Sequence, residues 1–359
     1  MTPARPVLVV TSIVPPDRAG AFRALHAREG IELALFGGRT HHATGTVADA
    51  GVPTRHVAEH EVYALARSGR YRAVVAGTVG RVALPAAWLG ARRGGVPFLL
   101  WSALWAHPRT LAHRLAGGPL LDRIYRGAAA TIAYGPHVAA FAAGRGARNV
   151  HVAPQAVDAG FWSAPAPAPR RPDGAGFVAL AVGRAARYKG EPELLAGWVA
   201  SGLGPPGDAL VLIGEREAQE TPLPAGVHAA GAQDPEALRN FYAGADVLVM
   251  SAIPTRTTRE PWGLVANEAM HQHLPVIATD AVGAAAGGLV RDARNGLVVP
   301  AGDAGALGAA LRTLREDPAL RARLGAQAAH DVAAYTYDAW ASGFSAALAS
   351  VGASQEGDR

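Results

Sequence analysis

A single lysine stands among the 34 lysine and arginine residues of this 359-residue sequence. It is Lys189, in the stretch VGRAARYKG, five positions after Arg184 and flanked by Gly183 and Gly190. An ammonium is a compact charge that can meet a phosphate oxygen from several directions, whereas a guanidinium is a planar fork. Glycines let the backbone approach a ligand closely. These residues predict a diphosphate site, although two basic residues in a loop are also typical of a solvated turn.

Two carboxylates lie in a second segment, REPWGLVANEAMHQHLPVIATD, residues 259–280. They are Glu260 and Glu268, and each can accept paired hydrogen bonds from the vicinal hydroxyls of a hexose or a ribose. The pattern predicts a helix that begins near Gly263 and Leu264, where unpaired N–H groups and the positive end of the dipole favour an anion. The two segments together predict a site for two sugars joined by a diphosphate.

The elements that must position these residues appear as short apolar runs separated by helix-length segments. Before residue 163 the runs are PVLVV, ELALF, AVVAG, FLLW, ATIAY and NVHVAP, and after residue 176 they are FVALAV, ALVLIG, VHAAG, DVLVM, PVIATD and GLVVP. Continuous apolar strands of this kind predict parallel sheets that are covered on both faces. In such sheets ligands bind beyond the carboxyl ends of the strands, which is where both segments lie.

The domain organisation follows from a change in composition. The stretch SAPAPAPRRPDGAG, residues 163–176, predicts an extended connector because it is rich in proline, alanine and glycine. It separates an N-terminal α/β domain, residues 1–162, from a C-terminal one, residues 177–334. A final helix, residues 335–350, has an aromatic stripe at helical spacing and is predicted to pack back on the N-terminal domain.

Composition and charge narrow the class of protein. There is no cysteine, which excludes disulfides, a thiolate nucleophile and thiolate metal ligands, and a hydrophobic content of 50% with 18% charged residues is typical of a globular protein. Residues 1–160 contain 18 arginines and 8 acidic residues, a net charge of +10, whereas the remainder has a net charge of −5. The first half is therefore expected to attract an anionic partner, although arginines also simply keep a surface soluble.

Localisation is predicted from two apolar stretches and from one segment that contains both leucines and arginines. The run PVLVVTSIVPP is interpreted as a first strand and not as a signal peptide, and GAAATIAYGPHVAAFAAG is a poor membrane span, so a cytoplasmic protein is expected. Residues 109–126 mix leucines with arginines, a composition that can rest on anionic lipid at the inner face of a membrane. A buried helix with arginines on its wet face explains the same pattern, and the sequence leaves both interpretations open.

The segments GRAARYKG, EPWGLVANEAM and LPVIATDAVG, in this order, resemble the donor-binding half of retaining glycosyltransferases of family 4, the glycosyl transferases group 1. The resemblance covers roughly residues 177–349. It implies the GT-B fold, in which two doubly wound Rossmann-like α/β domains face each other across a cleft. It also implies transfer of a hexose-type sugar, with retention, from a UDP- or GDP-sugar to a glycan, a glycolipid or a small metabolite. No cofactor, metal ion or nucleic acid is implied.

The resemblance also implies roles for individual residues. Arg184 and Lys189 match the basic pair that holds the nucleotide diphosphate, Glu268 matches the acid on the ribose, and Glu260 matches the acid that faces the donor sugar. With no Asp-any-Asp motif in the sequence, the two cations would take the charge that develops on the leaving diphosphate. The other implied donor contacts are Gly183, Gly231, Trp262, Gly263, Leu264 and Val265.

The N-terminal half shows the resemblance only weakly. The family's glycine pair after the first strand is represented by Gly20 alone, in PPDRAGAF. The histidine expected beneath the donor sugar is assigned to His107, which with Arg184, Lys189 and Glu260 completes the predicted catalytic set; His41 and His42 fit less well.

Three other functions are considered. A nicotinamide dehydrogenase requires Gly-x-Gly-x-x-Gly directly after a strand, and VVTSIVPPDRAG lacks this motif. A nucleotide-sugar epimerase can share the GT-B fold, and it would interconvert free UDP-sugars without an acceptor. A non-catalytic sugar-nucleotide binding protein would bind the donor and never transfer its sugar.

Overall fold

The computed structural model describes residues 5–37, 49–216 and 222–353. The chain divides into two compact units, of which unit 1 comprises Met1–Asp158 and Tyr335–Arg359 and unit 2 comprises Ala159–Ala334.

Unit 1 contains one parallel sheet with helices along the chain between its strands. Its strands are β1 (Val7–Thr11), β2 (Ile31–Leu35), β3 (Thr54–His56), β4 (Ala73–Gly77), β5 (Phe98–Ser102), β6 (Ala130–Ala133) and β7 (Val150–Val152). Its first helices are α1 (Ala19–Glu29), α2 (Val62–Arg67), α3 (Ala83–Gly94), α4 (Gly118–Gly127) and α5 (Pro136–Gly144). Short 3-10 turns at Pro16–Arg18 and Glu59–Glu61 and a π-helical turn at His113–Gly117 precede α1, α2 and α4.

The sheet of unit 1 has the strand order β3-β2-β1-β4-β5-β6-β7, with every pair parallel. Its faces are both buried, since Val7 and Val9 belong to one apolar cluster and Leu8 and Val10 to another. Strand β3 was not predicted from the sequence. Its three residues are all exposed at the sheet edge, so it has no apolar run to reveal it.

Unit 2 repeats this architecture. Its strands are β8 (Phe177–Val182), β9 (Asp208–Ile213), β10 (Val227–Gly231), β11 (Val247–Met250), β12 (Val276–Thr279) and β13 (Gly296–Val299), in the order β10-β9-β8-β11-β12-β13. Its helices are α6 (Ala159–Ser163), α7 (Glu191–Ser201), α8 (Pro235–Gly244), α9 (Val265–His271), α10 (Gly283–Ala286), α11 (Ala304–Glu316) and α12 (Pro318–Val332), and a 3-10 turn at Arg187–Lys189 precedes α7. The predicted α/β fold of two doubly wound, Rossmann-like units is thereby confirmed.

The boundary of unit 1 differs from the predicted residue 162. Residues 159–162 begin helix α6 and belong to unit 2, because the Trp162 ring packs at 5.8 Å from the ring of Tyr242. The segment 163–176 also belongs to unit 2. The carbonyl of Ala164 accepts from the Gln272 Nε2 at 3.0 Å, and the backbone N–H of Arg170 donates to the carbonyl of Asn240 at 2.8 Å, so this exposed segment is anchored to unit 2.

The last helix, α13 (Tyr337–Ala349), belongs to unit 1. Its Trp340 and Phe344 are buried among the aromatic residues of unit 1, with Trp340 at 5.6 Å from the Phe22 ring and at 5.8 Å from the Trp101 ring. The aromatic stripe seen in the sequence is therefore part of the core of unit 1. In the described part of the chain, no helix combines the length and the apolar character needed to cross a lipid bilayer.

Candidate functional site

A pocket that is open to solvent lies in unit 2 where strands β8, β9 and β11 end, and its empty space of about 450 Å³ includes the solvent at its mouth. It is lined by Ala181, Val182, Gly183, Arg184, Lys189, Glu191, Leu194, Arg216, Val249, Met250, Ser251, Ala252 and Glu260. The pocket unites the predicted diphosphate residues with one of the two predicted carboxylates. This is the carboxyl edge of a doubly wound sheet, where ligands of such folds bind.

The loop after β8 is shaped by two glycines. Gly183 has a φ of 149°, and Gly190, after the 3-10 turn Arg187–Lys189, has a φ of 71°. A side chain at position 190 would collide with the backbone carbonyl of Ser251 as well as sit in a left-handed conformation. The loop consequently packs tightly against the end of β11.

Lys189 and Glu260 form an ion pair at the pocket wall. The Lys189 Nζ lies 2.6 Å from the Glu260 Oε2, and the two side chains are 25% and 7% exposed. A buried carboxylate is costly unless it has a charged partner, so each of these residues fixes the position of the other. The only lysine of the chain is thus bonded to the acid that was predicted to face the donor sugar.

Arg216 lines the same pocket and was not predicted. It follows β9, and its Nη2 lies 2.9 Å from the Glu191 Oε2, with both side chains 12% exposed. The signal that could have revealed it is its place just beyond the carboxyl end of a buried strand, which is also the place of Arg184. By contrast, Arg187 of the 3-10 turn is 60% exposed and pairs with Glu193, and it is not among the residues that line the pocket.

The charges of the pocket favour an anionic ligand. Three cations, Arg184, Lys189 and Arg216, line it with two acids, Glu191 and Glu260. Both acids are already bonded to a cation, so the lining has a surplus of positive charge. A partly enclosed site of this kind concentrates anions.

Glu268 lies in α9, outside the set of residues that line this pocket. Its Oε2 accepts a hydrogen bond of 2.7 Å from the hydroxyl of Tyr242. Burial, and then the charge of Glu268, raise the pKa of Tyr242 well above its usual value, so the tyrosine stays protonated and remains the donor. The assignment of Glu268 to a ribose stays a prediction.

The turn before α9 places the next four predicted donor residues. Trp262 is 3% exposed and its Nε1 donates to the Asn267 Oδ1 at 2.8 Å, so its indole supports the turn from within. Gly263 has a φ of 92°, Leu264 caps the helix, and Val265 is its first residue. The helix therefore begins within two residues of its predicted start.

The two remaining predicted glycines have different surroundings. Gly231 ends β10 with a φ of 70°, and its carbonyl accepts from the Gly214 N–H at 2.9 Å, next to the loop after β9. Gly20 lies in α1 of unit 1, and a side chain there would collide with the Tyr337 ring of α13. Helix packing is thus sufficient to explain the absence of a side chain at position 20, and the donor contact of Gly20 stays a prediction.

His107 lies in the loop after β5, within a cluster of charged and polar side chains of unit 1. Its Nδ1 is 2.7 Å from the His113 Nε2, and its Nε2 accepts from the Arg145 Nε at 2.6 Å and lies 3.4 Å from Asp122. Burial, and then the positive charge of Arg145, lower its pKa below the usual value. Both ring nitrogens are engaged, so its catalytic role stays a prediction, while His41 and His42 lie outside the described residues.

Comparisons with known proteins agree with this geometry. Residues 168–331 match the family model of the glycosyl transferases group 1. The chain is similar to D-inositol 3-phosphate glycosyltransferase of Streptomyces avermitilis, with 38% identity over 110 residues, which are 30% of this chain and 22% of that protein. It is also similar to the lipopolysaccharide core biosynthesis glycosyltransferase LpsE of Rhizobium meliloti, with 33% identity over 177 residues, 47% of this chain and 46% of that protein. These matches span between about a fifth and a half of the relatives' length.

A solved structure extends the likeness to nearly the whole chain. HepE of Anabaena, in complex with UDP and glucose, matches with a TM-score of 0.72 and 17% identity over 96% of this chain and 100% of that one. At this identity the match shows the fold. The sequence of unit 2 thus matches the glycosyl transferases group 1, and the chain has the α/β fold of the GT-B glycosyltransferases.

Proposed function

We propose that this protein is a retaining glycosyltransferase that moves a hexose-type sugar from a UDP- or GDP-sugar to an acceptor. The observation that supports this most is the convergence of Arg184, Lys189 and Glu260 in one pocket of the unit that matches the family model. The UDP and glucose complex of HepE, a protein of the same fold, agrees with a nucleotide-sugar ligand. The acceptor class is a glycan, a glycolipid or a small metabolite.

In this proposal the diphosphate lies among Arg184, Lys189 and Arg216, and Glu260 accepts hydrogen bonds from the hydroxyls of the donor sugar. An ammonium has three N–H donors, so Lys189 can keep its bond to Glu260 and still donate to a phosphate oxygen. The ion pair then connects the residue that binds the diphosphate, Lys189, with the residue that binds the donor sugar, Glu260. Glu268 binds the ribose, and the backbone around Gly183, Gly231 and Gly263 allows the nucleotide sugar to approach.

The chemistry requires stabilisation of a leaving diphosphate. As the bond between the anomeric carbon and the phosphate oxygen breaks, negative charge grows on that oxygen, and in this proposal the three cations stabilise it without a metal cofactor. The acceptor oxygen attacks the same face of the sugar, and its proton passes to the departing diphosphate, which accounts for retention. For His107 to act on the substrate, its ring must give up its contact with His113 or with Arg145.

The first test is donor binding. A panel of UDP- and GDP-sugars is screened for thermal stabilisation, since a ligand at 100 times its dissociation constant adds about 2.7 kcal/mol to the free energy of unfolding. We expect one nucleotide class to raise the melting temperature, and Lys189→Ala to abolish the rise. Arg187→Ala is the matched control, because Arg187 belongs to the same turn and lies outside the pocket lining. Stabilisation by NAD alone, or an unchanged shift in Lys189→Ala, would contradict the proposal.

The second test separates a transferase from the other nucleotide-sugar proteins. The donor identified by the first test is incubated with and without a panel of acceptors, and the products are followed by NMR. A transferase forms a glycoside only with an acceptor, and the anomeric proton of the product reports retention. Interconversion of the free donor would indicate an epimerase, and binding with no turnover would indicate a sensor.

We also propose that unit 1 contacts anionic membranes through the segment 109–126. Leu111 and Leu115 are 66% and 70% exposed, and Arg109 and Arg114 are exposed beside them. Exposed leucines among arginines suit an anionic lipid surface. Co-sedimentation with vesicles of anionic lipid, and not with neutral vesicles, is expected, and Leu115→Ser should weaken it. Equal sedimentation with both vesicle types would contradict this part of the proposal.

A further inference from the structure

Unit 1 has a pocket of its own at the carboxyl edge of its sheet. It lies beyond the ends of β1, β4 and β5, and its empty space of about 540 Å³ includes the solvent at its open mouth. Its lining includes the hydroxyl residues Ser12 and Thr78, the aromatic residues Trp101 and Tyr134 and, as the one charged side chain among the described residues, Arg18. None of these residues was assigned a role from the sequence.

The guanidinium of Arg18 is held by neutral groups. Its central carbon lies 5.3 Å from the centre of the Trp101 ring and 5.0 Å from the centre of the Tyr134 ring. Its Nη2 donates a hydrogen bond to the Oε1 of Gln155, a fully buried residue. Ring faces and an amide oxygen fix the position of a guanidinium, but they do not cancel its charge.

The position of Arg18 corresponds to that of Lys189 in unit 2. Strand β1 ends at Thr11 and strand β8 at Val182, and each cation follows seven residues later as the last residue of a 3-10 turn. The two strands also have the same place in their sheets, since β1 lies between β2 and β4 and β8 lies between β9 and β11. The partner differs: Lys189 is bonded to the carboxylate of Glu260, and Arg18 to the amide of Gln155.

We propose that the pocket of unit 1 binds an anionic group of the acceptor, a phosphate or a carboxylate, on Arg18. The inference rests on the proposed transferase function and narrows its acceptor to an anionic sugar or polyol. A guanidinium binds such groups through two parallel N–H bonds, and the hydroxyls of Ser12 and Thr78 can add further donors. Unit 1 contains 19 arginines and 11 acidic residues, and its net charge of +8 favours the approach of an anion.

The test uses the full-length protein saturated with UDP, so that the donor pocket is blocked. Inorganic phosphate, acetate, glucose 6-phosphate and uncharged glucose are titrated separately by NMR and calorimetry. Phosphate or acetate is expected to bind, and glucose 6-phosphate to bind at least tenfold more tightly than glucose. The phosphate and acetate titrations distinguish the two kinds of anionic group.

Two substitutions assign the binding to Arg18. Arg18→Met keeps an apolar stem over the two rings and removes the charge, and it should weaken anion binding at least tenfold, which corresponds to about 1.4 kcal/mol. The control is Arg23→Met, at an exposed arginine five residues further along α1, which should leave anion binding within twofold. Arg18→Lys retains the charge without the fork and should give an intermediate loss, and it replaces Arg18→Met if that variant does not fold.

Two outcomes would overturn the inference: no anion binds the UDP-saturated protein, or Arg18→Met binds it as tightly as the native chain. Failure of the proposed function has a different signature, namely that UDP and GDP do not bind at all. In that case the anions are titrated without nucleotide on the Lys189→Ala variant and on the double variant that also carries Arg18→Met. Weaker anion binding by the double variant still identifies Arg18 as the binding residue.

Discussion

The two units of this protein have the same order for six of their strands, and in each a 3-10 turn follows the central strand. Their pockets differ in the residue that pairs with the cation at the end of that turn. In unit 2 Lys189 is bonded to Glu260 and is accompanied by two arginines, whereas in unit 1 Arg18 lies over two aromatic rings and is bonded to an amide. In both units a cation thus lies seven residues after the end of the central strand, β1 or β8. In the proposed function, the residues around this cation determine whether the pocket suits a diphosphate with its sugars or a single anionic group.

The largest expected effect concerns the residue after each cation, which is Gly190 in unit 2 and the helical Ala19 in unit 1. Gly190→Ala should lower the free energy of unfolding of unit 2 by more than about 3 kcal/mol, because it combines a positive φ with a collision against Ser251. Gly202→Ala, at a φ of 69° with open space around it, should cost only about 1 kcal/mol. Chemical denaturation measures both, and equal losses would show that the contact with Ser251 does not constrain the loop.

The second largest effect is expected when the carboxylate beside Lys189 is replaced by an amide, the group that accepts from Arg18. Glu260→Gln replaces its carboxylate by an amide, and we expect kcat for sugar transfer to fall about 100-fold, a loss of about 2.7 kcal/mol in stabilisation of the transition state. The dissociation constant of UDP should change less than threefold, because UDP has no donor sugar. Initial rates and UDP titrations measure the two quantities, and an unchanged kcat would remove Glu260 from the proposed site.

The reverse exchange in unit 1 should have a smaller effect. Gln155→Glu would place a carboxylate on Arg18, and the resulting ion pair should weaken binding of inorganic phosphate about tenfold, or about 1.4 kcal/mol. UDP affinity is expected to stay the same, since Gln155 belongs to unit 1. Phosphate titration of the UDP-saturated variant makes the measurement. Unaltered phosphate affinity would mean that the neutral partner of Arg18 has no bearing on anion binding.

The smallest effect is a pH dependence that differs between the units. Burial lowers the pKa of His107 in unit 1 and of His271 in unit 2, so each unfolded state binds a proton more readily than the folded one. This contribution to stability is complete above about pH 6.5 and declines as the pH falls below that value. His107→Gln should flatten the decline of unit 1 between pH 7 and 5 by less than about 1 kcal/mol and leave unit 2 unaffected. Denaturation at several pH values, with separate probes in each unit, tests this, and identical slopes would refute it.

Much of the fold could be read from apolar runs, because strands buried on both faces of a parallel sheet have nearly continuous apolar sequences. Strand β3 escaped this approach because its residues are exposed. The meeting of Lys189 with Glu260 was also predictable in outline, since both follow strands that end at the same edge of one sheet.

The parts that could not be predicted depend on contacts distant in sequence. The contact of Gly20 with the Tyr337 ring, more than 300 residues later, is one example. Arg216 has no flanking motif, and only the packing of β9 beside β8 brings it to the pocket. Arg18 was hidden for a different reason: a lone arginine in a proline-rich loop has no meaning until the two aromatic rings beneath it are known.

The Trp101 ring beneath Arg18 packs against a helix that follows unit 2 in the sequence. Trp101 packs against Trp340 and Phe344 of α13, which the ribosome adds only after the whole of unit 2. A nascent chain can therefore finish unit 2 while unit 1 still lacks part of its interior. A premature stop before α13 would therefore damage the core of unit 1 first and leave the packing of unit 2 in place.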